Sequence, residues 1–267
     1  MNIYVCVKQV PDPETPPANF KIDPATNKVI PAQGVQPVID PFAENAVEGA
    51  LKLKDTYSGK VSAFSMGPAS ARDALKQAMA MGADDSYLLT DPLFEQADSY
   101  AIALVLATAI KKAGIPDLIL TGRESADWSA GQTGAGIAEI LGLPVVSLVK
   151  KVEVLDGGKL RVERVLDDGY EVIEVQTPAV LTVSNEIGTP RYPTLKGIMS
   201  AGKKPVTTWS AADLGLDASQ IGASANHVKM AKLYIPVRES KCEIAEGETP
   251  ADAAVALATM LRAAKVI

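Results

Sequence analysis

The chain opens on an apolar, β-branched run at residues 3–7, IYVCV, of the kind a strand buried on both faces requires. Residues 11–39 replace it with Pro, Asp and Asn and predict a long loop or a short hairpin. At Asp40-Pro41 the period turns helical. Asp can cap, Pro fits the first helical position, and Ala43, Ala46, Val47, Ala50 and Leu51 recur on one face, so a helix is predicted from 41 to about 54. The alternation then repeats. VSAFSM at 61–66 predicts a strand, Gly67-Pro68 a sharp loop, and Ser70 with Asp73 the capped start of a helix carrying Leu75, Ala78 and Met79. A short strand at Tyr87 to Leu89, a helix over 97–113, a strand at Leu118 to Leu120 and a helix over 131–141 follow. Strands and helices in strict alternation, joined by short connections, predict an α/β fold with a doubly wound, mostly parallel sheet.

After Pro144 the period becomes two. VEVLDGGKLRVERVLDDGYEVIEVQTPAVLTV places Asp156-Gly157-Gly158 and Asp168-Gly169 at turns, which predicts an antiparallel meander at the sheet's edge. From Val183 to about 230, Gly, Pro and Lys interrupt every periodicity, so this stretch is predicted to be an arm that packs on something else. Apolar character returns at LYIP, 233–236, and Thr249-Pro250 with Asp252 predicts a last helix running through VALATMLRAAK.

Composition narrows the function. The 267 residues are 47% hydrophobic and 22% charged but only 5% aromatic, so the core is expected to be built of Ala, Val, Leu and Ile. Lys and Arg number 26 against 32 Asp and Glu, a net charge of −6, which argues against nucleic acid as a partner. MNIYVCVKQV lacks a cationic lead and a small-residue cleavage site, so it is read as a strand rather than a signal peptide. No apolar run reaches the ~18 residues of a membrane span, and a cytoplasmic location is expected. Two distant cysteines, Cys6 and Cys242, make neither a zinc knuckle nor a disulfide framework. With His227 the single histidine, His-based triads, metal cages and relays drop out, no catalytic or metal-ligating side chain is assigned, and any chemistry is expected to come from a cofactor.

Three segments fall where parallel sheets bind ligands, at strand ends or helix starts. In TGRESADWSAGQTGAGIAEI, 121–140, a strand ends at Gly122 and a small-residue loop enters a helix, so backbone N–H groups near Gly131, Gln132, Thr133 and Gly134 could meet phosphate oxygens. Pattern alone leaves an ordinary strand-to-helix connection equally open. The segment is neither a P-loop nor GxGxxG. Ser65-Met66-Gly67-Pro68 and Asp40-Pro41-Phe42-Ala43 could face the same crevice or be simple punctuation. Trp128 could stack on an adenine or flavin ring, or cap the crevice. His227 and the pair Lys203-Lys204 read as solvated surface residues.

The segment VERVLDDGYEVIEVQTPAVLTV, 162–183, resembles the signature of the electron transfer flavoprotein β-subunit family through Arg164, Asp167, Asp168, Gly169, Glu171, Pro178, Val180 and Leu181. VCVKQVPD, DPFAENAVEGALKLK, AMAMGAD, GQTG and PRYPTLKGIM resemble the family's other segments in the right order, over nearly the whole chain. The resemblance implies a heterodimer with an α-subunit that holds the redox-active FAD, and a nucleotide site in this chain for AMP or, in bifurcating members, a second FAD. It implies that Cys6, Lys8, Asp40 to Ala43, Met66 with the adjoining Gly67, and Asp127, Trp128, Ser129, Ala130 and Gly131 through Ala138 line that site. It further implies that Tyr192, Leu195 and Ile198 belong to a recognition loop that docks onto dehydrogenases, with Leu195 as apolar anchor. The expected division is a nucleotide-binding α/β domain at 1–183, the recognition loop and extended arm at 184–232, and a C-terminal strand and helix segment at 233–267, the arm reaching to the partner subunit. Trp128-Ser129 departs from the commoner pattern of the nucleotide loop, and LLTDPLFEQADSYAIAL, with Asp91, Phe94, Ala97 and Asp98, resembles the bifurcating branch. An electron carrier is therefore expected, NADH-oxidising if bifurcating. A stand-alone adenine-nucleotide-binding α/β enzyme is the alternative.

Overall fold

In the structure, a computed structural model that describes residues 1–236 and 242–267, the opening apolar run is strand β1 (Asn2–Cys6). The polar stretch after it holds β2 (Gln9–Val10), a hairpin of β3 (Lys21–Asp23) and β4 (Lys28–Ile30), and β5 (Val38–Ile39), which pairs antiparallel with β2. Helix α1 (Pro41–Tyr57) starts as its sequence implies: the Asp40 carboxylate accepts the N–H groups of Phe42 and Ala43 behind Pro41. Then come β6 (Lys60–Met66), α2 (Arg72–Met81), β7 (Asp85–Leu89), α3 (Ser99–Ala113), β8 (Leu118–Gly122) and α4 (Thr133–Leu141). Ser70 does not cap α2, as its spacing from Asp73 predicted. Its hydroxyl donates to Gln9 Oε1 at 2.8 Å, and the helix grows from a 3-10 turn at Ala69–Ala71.

Strands β9 (Val145–Val154), β10 (Lys159–Leu166) and β11 (Gly169–Gln176) make the antiparallel meander. Its expected last member, β12 (Ala179–Val183), instead leaves the meander and inserts between β9 and β8, parallel to both. All five of its residues are buried, as a strand covered on both faces must be. Beyond it lie α5 (Leu195–Lys203), β13 (Thr207–Trp209), α6 (Ala211–Leu214) and α7 (Ala218–Ile221).

These elements form a nine-stranded sheet ordered β11-β10-β9-β12-β8-β1-β6-β7-β13, in which every pairing from β9 across to β13 is parallel. Side chains alternate between two cores. Ile3, Val5, Val61, Ala63, Leu118 and Leu120 meet α1 and α2, whereas Phe64, Leu89, Ile119 and Val180 meet α3 and α4. The fold is thus the doubly wound, mostly parallel sheet with an antiparallel edge that the periodicity predicted.

Residues 195–221 differ from the expected arm, because they return to the sheet. Trp209 on β13 packs 4.9 Å from Tyr87, which stacks on Phe64 at 4.5 Å, which in turn meets Tyr4 at 4.9 Å. This aromatic row across β1, β6, β7 and β13 gives the edge strand its anchor, and few as the aromatics are, it supplements the aliphatic core. Residues 222–232 follow without a regular element.

The chain divides into compact units at 1–232 and 233–267. In the second, Leu233 to Pro236 form no strand, contrary to the sequence reading. Helix α8 (Pro250–Ala263) opens on the capping box of Thr249 and Asp252. No helix among the described residues is long and apolar enough to cross a membrane.

Candidate functional site

Strand β1 lies between β6 and β8. The chain leaving β1 crosses one face of the sheet through α1 to β6, while the chain leaving β8 crosses the other through α4 to β9. The connections therefore diverge above the carboxyl ends of β1 and β8 and leave a crevice, the position at which open α/β sheets take ligands.

Two polar ties bridge that crevice. Lys8, just past β1, places its ammonium 2.6 Å from Asp127 and 3.3 Å from Ser125 Oγ in the β8–α4 loop. Asp40 is 1% exposed, and its second oxygen accepts the N–H of Ala126 at 2.7 Å. One carboxylate thus caps α1 and holds the loop. Burial raises its pKa, against the N–H bonds from Ala126, Ala43 and Phe42, and Asp127 nearby raises it further.

Close packing explains two glycines. A Cβ on Gly122 would lie 2.7 Å from the Cβ of Phe42, where β8 passes the start of α1. A Cβ on Gly134 would lie 2.6 Å from Thr182 and 2.7 Å from the Thr121 hydroxyl, so only glycine lets α4 descend this far onto β8 and β12. Between them Ser129 holds a φ of 48°, left-handed for a residue with a side chain.

The first turn of α4 differs from those of its neighbours. The side chains of Asp40, Asp98 and Thr194 cap α1, α3 and α5, but Gln132 makes no side-chain bond to the start of α4. Its first N–H groups, at Thr133, Gly134 and Ala135, therefore point out at the positive end of the helix dipole. Ser65, at the carboxyl end of β6, shares the parity of Val61 and Ala63 and is wholly buried, its hydroxyl without a hydrogen-bond partner among the described residues. Arg123 lies over the Phe42 ring at 4.9 Å. These donors fit a phosphate-bearing nucleotide better than a metal, and no group of three His, Cys, Asp or Glu among the described residues could hold a metal ion.

The structure brings together the loop from Asp127 to Gln132, the α4 start at Thr133 and Gly134, Lys8 and the Asp40 to Ala43 turn. Met66 and Gly67 end the next strand over, and Trp128 is 57% exposed on the loop. Cys6 and Ala138 are buried instead in the core under α3 and α4, and burial pushes the Cys6 thiol up to about 12. Two cavities, about 100 Å³ between the β3–β4 hairpin and Pro11 to Thr15 and about 180 Å³ between α1 and β9, lie away from the crevice. Sequence reasoning held Thr121, Arg123, Ser125, Ala126 and Ser65 within its candidate segments without singling them out, and it missed Thr182, which packs against Gly134. A signal existed for two of the hydroxyls: LILTG and AVLTV each carry a Thr near the end of an otherwise apolar strand.

At the other end of α1, residues 188–194 form a loop leading into α5. Tyr192, Leu195, Ile198 and Met199 are 93%, 75%, 53% and 60% exposed, a dense apolar group for a protein surface.

Fold and crevice define a doubly wound α/β protein of the class whose ligand sites lie at the switch point of the sheet. The Electron transfer flavoprotein domain matches residues 28–214. The chain is 44% identical over 248 residues to the Electron transfer flavoprotein subunit beta of Thermoanaerobacterium thermosaccharolyticum, spanning 92% of this chain and 93% of that one. It is also 44% identical over 232 residues, 87% of each chain, to the protein of the same name from Clostridium acetobutylicum. It is 39% identical over 268 residues to the Caffeyl-CoA reductase-Etf complex subunit CarD of Acetobacterium woodii, spanning 100% of both. The chain belongs to the electron transfer flavoprotein family.

Proposed function

We propose that this chain is the β-subunit of a heterodimeric electron transfer flavoprotein, working in the cytoplasm. It holds a nucleotide, AMP or a second FAD, in the crevice between β1 and β8, and its α-subunit partner carries the redox-active FAD. The pair shuttles electrons between dehydrogenases and an acceptor protein. The observation that carries this reading is the uncapped start of α4, set in a loop that Lys8 and Asp40 fasten from the opposite side of the crevice.

In this reading the N–H groups of Thr133, Gly134 and Ala135 bind phosphate oxygens, and Lys8 supplies the neighbouring positive charge. Trp128 offers a ring face for stacking. Met66, Gly67 and the Asp40 to Ala43 turn wall the crevice, while Asp127, Ser129, Ala130, Gly131 and Gln132 shape the loop. Cys6 and Ala138 support it from beneath; a thiol raised to about 12 stays protonated at neutral pH and acts only by packing. A bound FAD supplies redox chemistry of its own, whereas AMP supplies none. Tyr192, Leu195 and Ile198 form the apolar contact for a dehydrogenase, with Leu195 at its centre.

A second reading, the bifurcating branch oxidising NADH at an FAD in this chain, draws on the end-to-end match to the Acetobacterium protein and on the segment around Asp91 and Phe94. Purifying the chain with its α partner and counting the released nucleotides separates the readings. One FAD with one AMP marks the carrier, two FADs mark the bifurcating type, and no nucleotide overturns both. Bleaching of flavin absorbance by NADH is expected of the bifurcating type alone.

A further inference from the structure

We infer that Arg191 and Glu48 are positioning residues that hold the docking loop in its binding pose before any partner arrives, an inference resting on the docking role proposed for Leu195. Glu48 lies in the middle of α1 and is 4% exposed, so its carboxylate needs partners that water cannot provide. Arg191 supplies three. Its backbone N–H, Nε and Nη2 reach the two Glu48 oxygens at 3.1, 2.8 and 3.1 Å, and Nη2 also meets Asp55 at 2.9 Å. The backbone bond matters most, because it fixes the main chain of the loop as well as a side chain.

The neighbouring positions of α1 continue the clamp. Asn45 donates to the carbonyl of Gly188 at 3.1 Å and Lys52 to that of Ile187 at 3.0 Å. Asn45, Glu48, Lys52 and Asp55 follow the helical period, so one stripe of α1 grips the whole base of the loop. The apolar tip begins at the next residue, Tyr192. Side chains as exposed as Tyr192 and Leu195 have little packing of their own to fix them, so their pose is inherited from the clamp below and from the Thr194 cap of α5 above. A loop ordered beforehand binds more tightly because less ordering remains to be done in the complex.

The test uses the heterodimer with its α partner and four variants: Arg191→Ala, Arg191→Lys, Asp55→Ala and Leu195→Ala. Amide hydrogen exchange over 188–196 is read beside KM and kcat with caffeyl-CoA reductase as the varied partner. Arg191→Ala is expected to speed exchange at least tenfold and to raise KM about tenfold, with kcat and nucleotide content unchanged. Arg191→Lys, which keeps the charge but loses the fork, should restore part of both effects. Unchanged exchange in Arg191→Ala, or faster exchange with an unchanged KM, overturns the inference. If Arg191→Ala does not assemble, Asp55→Ala decides, with a smaller rise in both readouts expected and no change in either overturning it. Leu195→Ala tests the underlying reading separately: an unchanged KM there, or a wild type that does not engage this enzyme, removes the docking role while exchange still judges the clamp.

Discussion

Two loops of this protein are fastened to the same helix by buried carboxylates, and the fastenings differ in kind. Asp40 holds the β8–α4 loop through the neutral N–H of Ala126, with two further N–H groups of its own helix. Glu48 holds the 188–194 loop through a full cation, Arg191. The difference follows from what each loop surrounds. Asp40 meets only backbone N–H groups, and the cation that also ties this loop, Lys8, pairs with Asp127 instead. The 188–194 loop leads into exposed apolar side chains, Tyr192 and Leu195, that have little packing to hold them, and an ion pair fixes its base instead.

The comparison breaks most visibly at Asp40. Asp40→Ala removes the cap of α1 and strands the Ala126 N–H, and a loss of about 3 kcal/mol is expected in urea unfolding, together with lost nucleotide. A loss below about 1 kcal/mol would show that the crevice loop is held by something else. Gly134→Ala comes next. The added methyl meets Thr182 and Thr121, so α4 must lift, at about 2 kcal/mol of stability and with reduced nucleotide content in the purified pair. Leu195→Ala should leave both stability and nucleotide unchanged, since the side chain is exposed, and should weaken dehydrogenase docking about tenfold in a titration.

The smallest expected effect is in acid. Asp98 caps α3; burial pushes its carboxyl up, but N–H bonds from Ala101, Val228 and His227 together outweigh burial, and its pKa is lowered. A lowered carboxyl stabilises the fold fully above about pH 3.9, its unfolded value, and that contribution disappears as pH falls through the folded value. The stability gap between wild type and Asp98→Asn should therefore be widest at neutral pH and close in acid. Asp40 has the opposite sign: its raised pKa makes the folded state take up the proton first, so wild type should gain on Asp40→Asn as pH falls. Parallel unfolding curves from pH 7 to 3 for both variants would contradict this contrast.

How much was legible depended on the distance between partners. The order of strands and helices, the Asp40 cap of α1, the turns at 156–158 and 168–169 and the Thr249 box were readable because their causes lie within a few residues. The candidate crevice was readable in part, since Gly and polar residues after an apolar strand mark a loop whatever surrounds it. The arm reading of 184–230 failed for 195–221 because nothing local marks TTW as a strand; Tyr87, more than a hundred residues earlier, supplies the reason.

The sequence by itself determined most of the strands and helices of residues 1–183 and that the sheet is buried on both faces, because periodicity and capping act locally. Tertiary structure alone decided that β12 slots between β9 and β8, that Lys8 meets Asp127 across the crevice, and that Glu48 grips Arg191 at a separation of 143 residues. Such pairings depend on where the whole sheet places its strand ends, and the desolvation that gives a buried charge its need for a partner exists only once the core has closed.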